Sequence, residues 1–278
     1  MKVLHLQSGE LSGGAARGAY WLHRAQLQIG IDSHLMISGR NDTGDSSVTA
    51  LATSTTKRVD FALRNRIGNL PEKIYKGRQR LIYNTGFAGL GYQSTEEFRQ
   101  ADIIHLHWIN GLVSMRSLRH IKKPIVWTLR DMWPLTGGCH VAMGCERYMS
   151  GCGFCPQLGS QREWDLSKIV SRNKAASLPR EIRVVGISKW LSQCAKDSTV
   201  FDGFNIRTIS NNIDTDEFFP VPKEAARLAL GIDKKSHILL AGAQSLSDPW
   251  KGFGQFIDAV NLISKGDVHI VVFGRVKS

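Results

Sequence analysis

The sequence predicts an α/β protein built on a parallel sheet, and three observations carry that reading. The first 37 residues run strand, glycine turn, helix, strand. Short apolar strands ending in polar residues recur at 102–107, 124–129, 183–188 and 205–209. The chain has 278 residues, 42% of them apolar, which is ample for a buried core and unlike a disordered segment. A strand–helix–strand opening makes its two strands parallel, because the helix carries the chain back to the starting edge.

Taken in order, Val3 to Leu6 is a buried strand and Ser8 to Gly14 a turn with three glycines. A helix follows from about Ala15 to Gln28, with Ala16, Ala19, Tyr20, Leu22 and His23 near helical spacing and Gly30 as its stop. Ser33 to Ile37 is the next strand. Further strands are expected at Asp102 to His107, Pro124 to Leu129, Arg183 to Ser188 and Asn205 to Ile209, with a helix from about Lys189. The run from Asn211 to Asp216, closed by Pro220 and Pro222, reads as a domain boundary. The sequence thus divides into a first domain, 1–210, and a linker with an incomplete second domain, 211–278. The second domain reads as strand Ile238 to Ala243, helix from about Gly252 to Ser264 and strand His269 to Phe273.

Charge is unevenly placed. Of the net +12, the stretch from Lys57 to Tyr83 supplies +6, from eight basic residues against Asp60 and Glu72, while residues 1–56 sum to zero. Val59, Phe61, Leu63, Ile67, Leu70, Ile74, Leu81 and Ile82 are interleaved with those charges, and Pro71 divides the stretch. It reads either as a surface for an anionic membrane or as a solvated pair of helices. Aromatics are few and no reader motif occurs, so nucleic acid is not expected as a partner. No apolar run approaches the roughly 20 residues that span a bilayer, and the N-terminal apolar run is too short for a signal peptide. The expected location is cytoplasmic, with peripheral attachment to the inner face of the cell membrane through the basic stretch.

Several residues point to chemistry. Gly13 and Gly14 precede a helix, where backbone N–H groups can meet a phosphate, although a tight packing turn uses the same residues. The spacing is not G-x-G-x-x-G and no acid ends the second strand, which makes a nicotinamide-dependent oxidoreductase the weakest class. His105, His107, Arg130 and Asp131 lie at the carboxyl ends of strands, where open parallel sheets bind ligands. The two histidines share one strand face and could be structural; Arg130 and Asp131 could cap a helix. Cys139-x5-Cys145-x6-Cys152-x2-Cys155, set among glycines, forms a knuckle at 139–155 that reads as a structural zinc site or as plain thiols, with His140 as an alternative ligand. A catalytic zinc is not expected, since four thiolates leave no open position. Cys194 reads as a small core residue. Lys251 before Gly252 could meet a diphosphate at a helix start.

In order, the tracts Ser12 to Arg17, His105 to Trp108, Trp127 to His140, Gly151 to Gln157, Asn212 to Pro220 and Lys251-Gly252 resemble the group-1 (family four) glycosyltransferases, most nearly the bacterial exopolysaccharide enzymes of the colanic-acid type. Trp127 to Leu158 is the most specific part. The resemblance implies a glycosyltransferase B-type fold of two Rossmann-like domains, the first for a glycan or lipid-linked acceptor and the second for a nucleotide-sugar. It implies transfer with retention, no cofactor required for catalysis, and a role in cell-surface polysaccharide assembly. By the same resemblance Gly13, Gly14 and Lys251 bind the donor phosphates; Asp131 and Arg130, from their place at a strand end, are the candidate catalytic residues, and His105, His107 and Arg17 the candidate acceptor residues. The sequence departs from the family at Arg130, where many relatives have histidine, and at Gln244 to Ser247, where an arginine is usual. The family's glutamate pair would fall beyond Ser278, so the chain reads as truncated, and as inactive or in need of a partner. The alternative is a non-catalytic acceptor- or membrane-binding module.

Overall fold

The computed structural model describes residues 1–233, 237–263 and 268–275, and the chain divides into two compact units, Met1–Asn212 and Ile213–Ser278. In the first unit β1 (Lys2–Gln7) leads through the glycine turn into α1 (Gly14–Gln28), then β2 (Asp32–Ile37) and the short β3 (Val48–Ala50). Next come α2 (Thr55–Gly68), the short α3 (Glu96–Gln100), β4 (Ile103–Leu106) and β5 (Ile125–Leu129). The unit closes with α4 (Leu166–Ser177), β6 (Arg183–Gly186), α5 (Lys189–Asp197) and β7 (Ile206–Thr208).

The parallel sheet predicted from the sequence is what forms, with strand order β3-β2-β1-β4-β5-β6-β7. The order reverses between β1 and β4. Connections leave to opposite faces at such a switch point and open a crevice outside the carboxyl ends of the strands. Five consecutive residues of β1, Val3 to Gln7, are buried, as a central strand covered on both faces requires. α1 turns Ala16, Gly18, Ala19 and His23 inward, and these mostly small residues let the helix lie close to the sheet. The main core runs from Leu4 and Leu6 through Ile104, Leu106 and Trp127 to Val184 and Phe201. Cys194 is buried there in α5, as expected.

Three features differ from the sequence reading. The segment 57–83 is not a pair of helices: α2 ends at Gly68, and Pro71 opens a single 3-10 turn, Leu70–Ile74. α2 buries none of its residues. α4, which the sequence did not predict, starts at Asp165, whose carboxylate accepts from the Lys168 amide at 3.1 Å. The strand at 102–107 stops at Leu106, which leaves His107 just outside the ladder at the switch point.

The second unit holds α6 (Lys223–Ala229), β8 (His237–Ser245), α7 (Phe253–Asn261) and β9 (Val268–Arg275), with β8 and β9 paired in parallel. The predicted helix end at Ser264 lies outside the described residues. No helix among the described residues is long and apolar enough to cross a membrane.

Candidate functional site

The switch-point crevice gathers residues from α1 and from the ends of β1, β4 and β5. Gly13 stands at the N-cap of α1 in extended conformation with no side-chain cap, and the first helical bond runs from Arg17 N to Gly13 O at 2.8 Å. The amides of Gly14, Ala15 and Ala16 therefore precede the helical ladder and face outward. A Cβ on Gly14 would meet nothing within 4 Å, so the turn is open rather than packed. Arg17 is exposed one turn on.

Arg130, at the end of β5, lies against the same helix. A Cβ on Gly18 would stand 2.5 Å from Arg130 Nη1, so the absence of a side chain there admits the guanidinium. Arg130 donates to Asn211 Oδ1 and, from Nη2, to His107 Nδ1 at 3.1 Å. Its Nε is buried without a hydrogen-bond partner, and no carboxylate among the described residues pairs with it. Burial pulls its pKa down to about 10, which leaves the cation charged at neutral pH. A largely buried cation without a counter-ion, beside free helix amides, is an arrangement suited to an anion.

Behind Arg130 stand three imidazoles. His5 and His105 are register partners in β1 and β4, and His5, His105 and His107 stack with ring centroids 4.4–5.2 Å apart. Because Arg130 can only donate, His107 Nδ1 accepts. His107 Nε2 then donates to His5 Nδ1 at 2.9 Å, and His5 Nε2 donates to Gln26 Oε1 at 2.7 Å. His105 Nε2 meets Thr128 Oγ1 at 2.8 Å. Burial is the main cause that pushes His5 down to about 3 and His105 and His107 well below the usual range, so the row is neutral. His105 and His107 share one face, as predicted, but both are buried, and both ring nitrogens of His107 are taken up by the protein.

Asp131 is held by three donors. Its Oδ2 accepts from Trp108 Nε1 at 2.7 Å and from His140 Nδ1 at 2.6 Å; its Oδ1 accepts from the Trp133 amide at 2.9 Å. The last bond is a local turn from Asp131 to the residue two further on; the N-cap of the 3-10 turn Trp133–Leu135 is Met132, with no side-chain cap, so the helix-capping reading of Asp131 is not what forms. His140 Nε2 meets Asn110 Nδ2 at 3.1 Å. With both nitrogens engaged, His140 is not an alternative ligand for the cysteine knuckle, which corrects the sequence reading. The sequence does not show Trp108 and His140 as partners of Asp131, nor Asn110 behind His140. Only the position of Trp108, directly after the His-Leu-His strand end, hinted at one of them.

The remaining residues lie elsewhere. Lys251 belongs to the second unit, exposed at the end of the turn Pro249–Lys251, and Gly252 takes φ +73° before α7. Cys139, Cys145, Cys152 and Cys155 are free thiols lining one small cavity of the first unit. Burial pushes Cys139 up to about 11 and Cys152 up to about 12, which excludes them as nucleophilic thiolates. Lys174 of α4 is fully buried, donating to the carbonyls of Trp133 and, at 2.9 Å, Thr136, with its ammonium 3.8 Å from the centre of the Trp133 ring.

No protein-family model matches the chain. It is 31% identical over 178 residues to WcaC of Escherichia coli K12, named as a colanic acid biosynthesis glycosyl transferase; the match covers 58% of this chain and 40% of that protein. The resemblance to exopolysaccharide glycosyltransferases read from the sequence is borne out by that match. Among solved structures, WaaG, a glycosyltransferase involved in lipopolysaccharide biosynthesis, aligns with all of this chain and 64% of its own, at TM-score 0.52 and 12% identity. A glycosyltransferase from Rickettsia africae ESF-5 aligns over 98% of this chain and 68% of its own, at TM-score 0.45 and 12% identity. The likeness to WaaG bears out the Rossmann-like fold class. The chain spans well under half the length of the curated relative it matches.

Proposed function

We propose that this chain takes part in the retaining transfer of a sugar from a nucleotide-sugar to a glycan or lipid-linked acceptor in cell-surface polysaccharide assembly. Residues 1–210 form the acceptor side, and residues from 211 onward contribute to the donor side. The observation that carries this reading is Arg130, a mostly buried guanidinium without a carboxylate partner, set against the uncapped start of α1. When a glycosyl bond to a diphosphate breaks, negative charge collects on the leaving phosphate oxygens. Fixed N–H donors and a desolvated cation stabilise that charge more than the ground state. Gly13 and Gly14 supply the backbone approach, and Lys251 supplies a phosphate-binding cation in its own unit. Asp131, held from three directions, fixes the floor of the crevice. Arg17, exposed on α1, is the residue positioned to meet the acceptor, while His107 steadies Arg130 and His105 stacks behind His107. Catalysis on this reading needs no metal cofactor.

The test is nucleotide-sugar binding and turnover by the whole chain, measured by ligand-detected NMR and donor hydrolysis over a panel of donors. Binding of at least one donor, weakened tenfold or more by Arg130→Gln, is expected. A panel with no binding, or binding indifferent to Arg130→Gln, overturns the reading.

α2 supports a second reading, that of a membrane-attached module. Val59, Leu63 and Ile67 recur every four residues and are more than half exposed, with Leu70 and Ile74 exposed beyond them. Lys57, Arg66 and Lys73 stand among them, exposed. Cosedimentation with anionic vesicles tests it. Binding lost in Lys57→Glu/Arg66→Glu/Lys73→Glu supports attachment through this face, and unchanged binding rejects it.

A further inference from the structure

We propose that Cys139, Cys145, Cys152 and Cys155 hold a structural zinc ion. This site is independent of the transfer reading above.

The four thiols line a single cavity of about 20 Å³, room for one water-sized species. A tetrahedral zinc with thiolates at about 2.3 Å needs a space of this order. Donors are aimed at the sulfurs. The Gly137 amide donates to Cys152 Sγ at 3.2 Å, and the amides of Gln157 and Leu158 lie near Cys155. Donors of this kind stabilise thiolates around a metal and fix their orientation. Neutral thiols in an apolar pocket have little need of them.

The backbone adds an independent sign. Among the described residues the only non-glycines with positive φ are Met143, Cys152 and Phe154, at +51°, +62° and +46°. All three lie in the knuckle, and 151–154 is an unbroken left-handed run, with Gly151 at +83° and Gly153 at +94°. Such a run costs about 1–2 kcal/mol per non-glycine residue and persists only where something else determines the geometry. A Cβ on Gly153 would run into the Glu163 carbonyl, so the run is also pressed against the chain leading to α4. Ligation from both ends of the Cys152–Cys155 turn supplies that determinant.

Charge completes the case. Four thiolates around Zn²⁺ carry a net −2, and two basic side chains stand near the site. Lys174 is fully buried close to Cys139 and Cys152, and burial pulls it down to about 7. Arg147 lines the cavity itself, with its guanidinium 5.3 Å from the Phe154 ring centre. A buried lysine that has only carbonyls as hydrogen-bond partners is costly in a metal-free pocket and well placed beside a dianionic centre. Binding is balanced as Zn²⁺ plus four thiols giving the tetrathiolate and four protons, with no change of oxidation state.

The test is elemental analysis of the full chain, expressed in zinc-supplemented medium and purified under reducing conditions. One zinc per chain is expected. Replacing it with Co²⁺ should give the intense visible absorption of a tetrahedral tetrathiolate. Cys152→Ser should lose the metal, while Cys194→Ser and His105→Gln should keep it. If Cys152→Ser does not fold, stepwise thiol modification of the wild-type chain decides, with one zinc released as four thiols react. A small fraction of a zinc per chain, a disulfide among these cysteines by intact mass, or a metal lost with His105→Gln overturns the proposal.

Discussion

In the histidine row beneath Arg130, each ring nitrogen of His5 and His107 already has a protein partner, and so does Nε2 of His105. In the cysteine knuckle the Gly137 amide donates to Cys152 Sγ, and the amides of Gln157 and Leu158 lie near Cys155. Among the described residues the three histidines are the group whose ligand atoms already stand within 4.8 Å of one another; the sulfurs of the knuckle are not gathered to that degree and would have to draw in around a metal. The chemistry reverses that ranking. Imidazoles that donate and accept among themselves form a neutral structural spine, whereas sulfurs met by backbone amides beside Arg147 suit negative charge. What surrounds a set of ligand atoms says more than their spacing.

The strongest way to break the contrast is acid. His5 titrates near 3 and His23, buried in α1, near 4 in the folded chain, against about 6.5 when unfolded. Below pH 6.5 the unfolded chain therefore binds protons that the native chain refuses. Stability from these groups is complete above 6.5 and falls as the pH drops. From pH 7 to 5 each histidine costs about 2 kcal/mol, so the unfolding free energy from urea titration should fall by about 4 kcal/mol for the pair. A flat profile over that window would show that the row is not held neutral.

The second is His107→Leu. It strands the acceptor on His5 and removes a partner from Arg130, a loss of about 3 kcal/mol in equilibrium unfolding. Zinc content should stay unchanged, which separates the spine from the knuckle. Trp108→Phe sharpens the picture on the Asp131 side: it deletes one hydrogen bond to a carboxylate, worth about 2 kcal/mol, with little loss of packing. At the small end, Lys57→Gln on α2 should change stability by less than about 0.5 kcal/mol, because Lys57 is exposed. A larger loss by thermal melting would mean that α2 packs against something in solution.

Much of this arrangement was legible in the sequence. β1, β4, β5 and β6 stand out as apolar runs because central parallel strands are buried on both faces, and Arg130 and Asp131 were visible as polar residues directly after one of them. The partners were not. Asn211 lies 81 residues beyond Arg130, and His140, directly after Cys139, reads from the sequence as an alternative ligand of the knuckle rather than as a partner of Asp131. α4 escaped for a clearer reason. The residues it buries include Ser167, Ser171, Lys174 and Ser177 beside Leu166 and Val170, so no apolar stripe marks its inner face. A helix that packs polar groups against backbone carbonyls leaves no hydrophobic period to find.

The row from Arg130 to Gln26 also has a sense of direction. Each imidazole receives a proton on one side and presents one on the other, so the orientation of any ring dictates that of the next. Arginine can only give, and this sets the whole row one way, from the crevice inward to α1. A glutamine at 130 offers either end of its amide. The two orientations of the row would then compete, and the ¹⁵N shifts of His5, two links away, would report a substitution made at the surface.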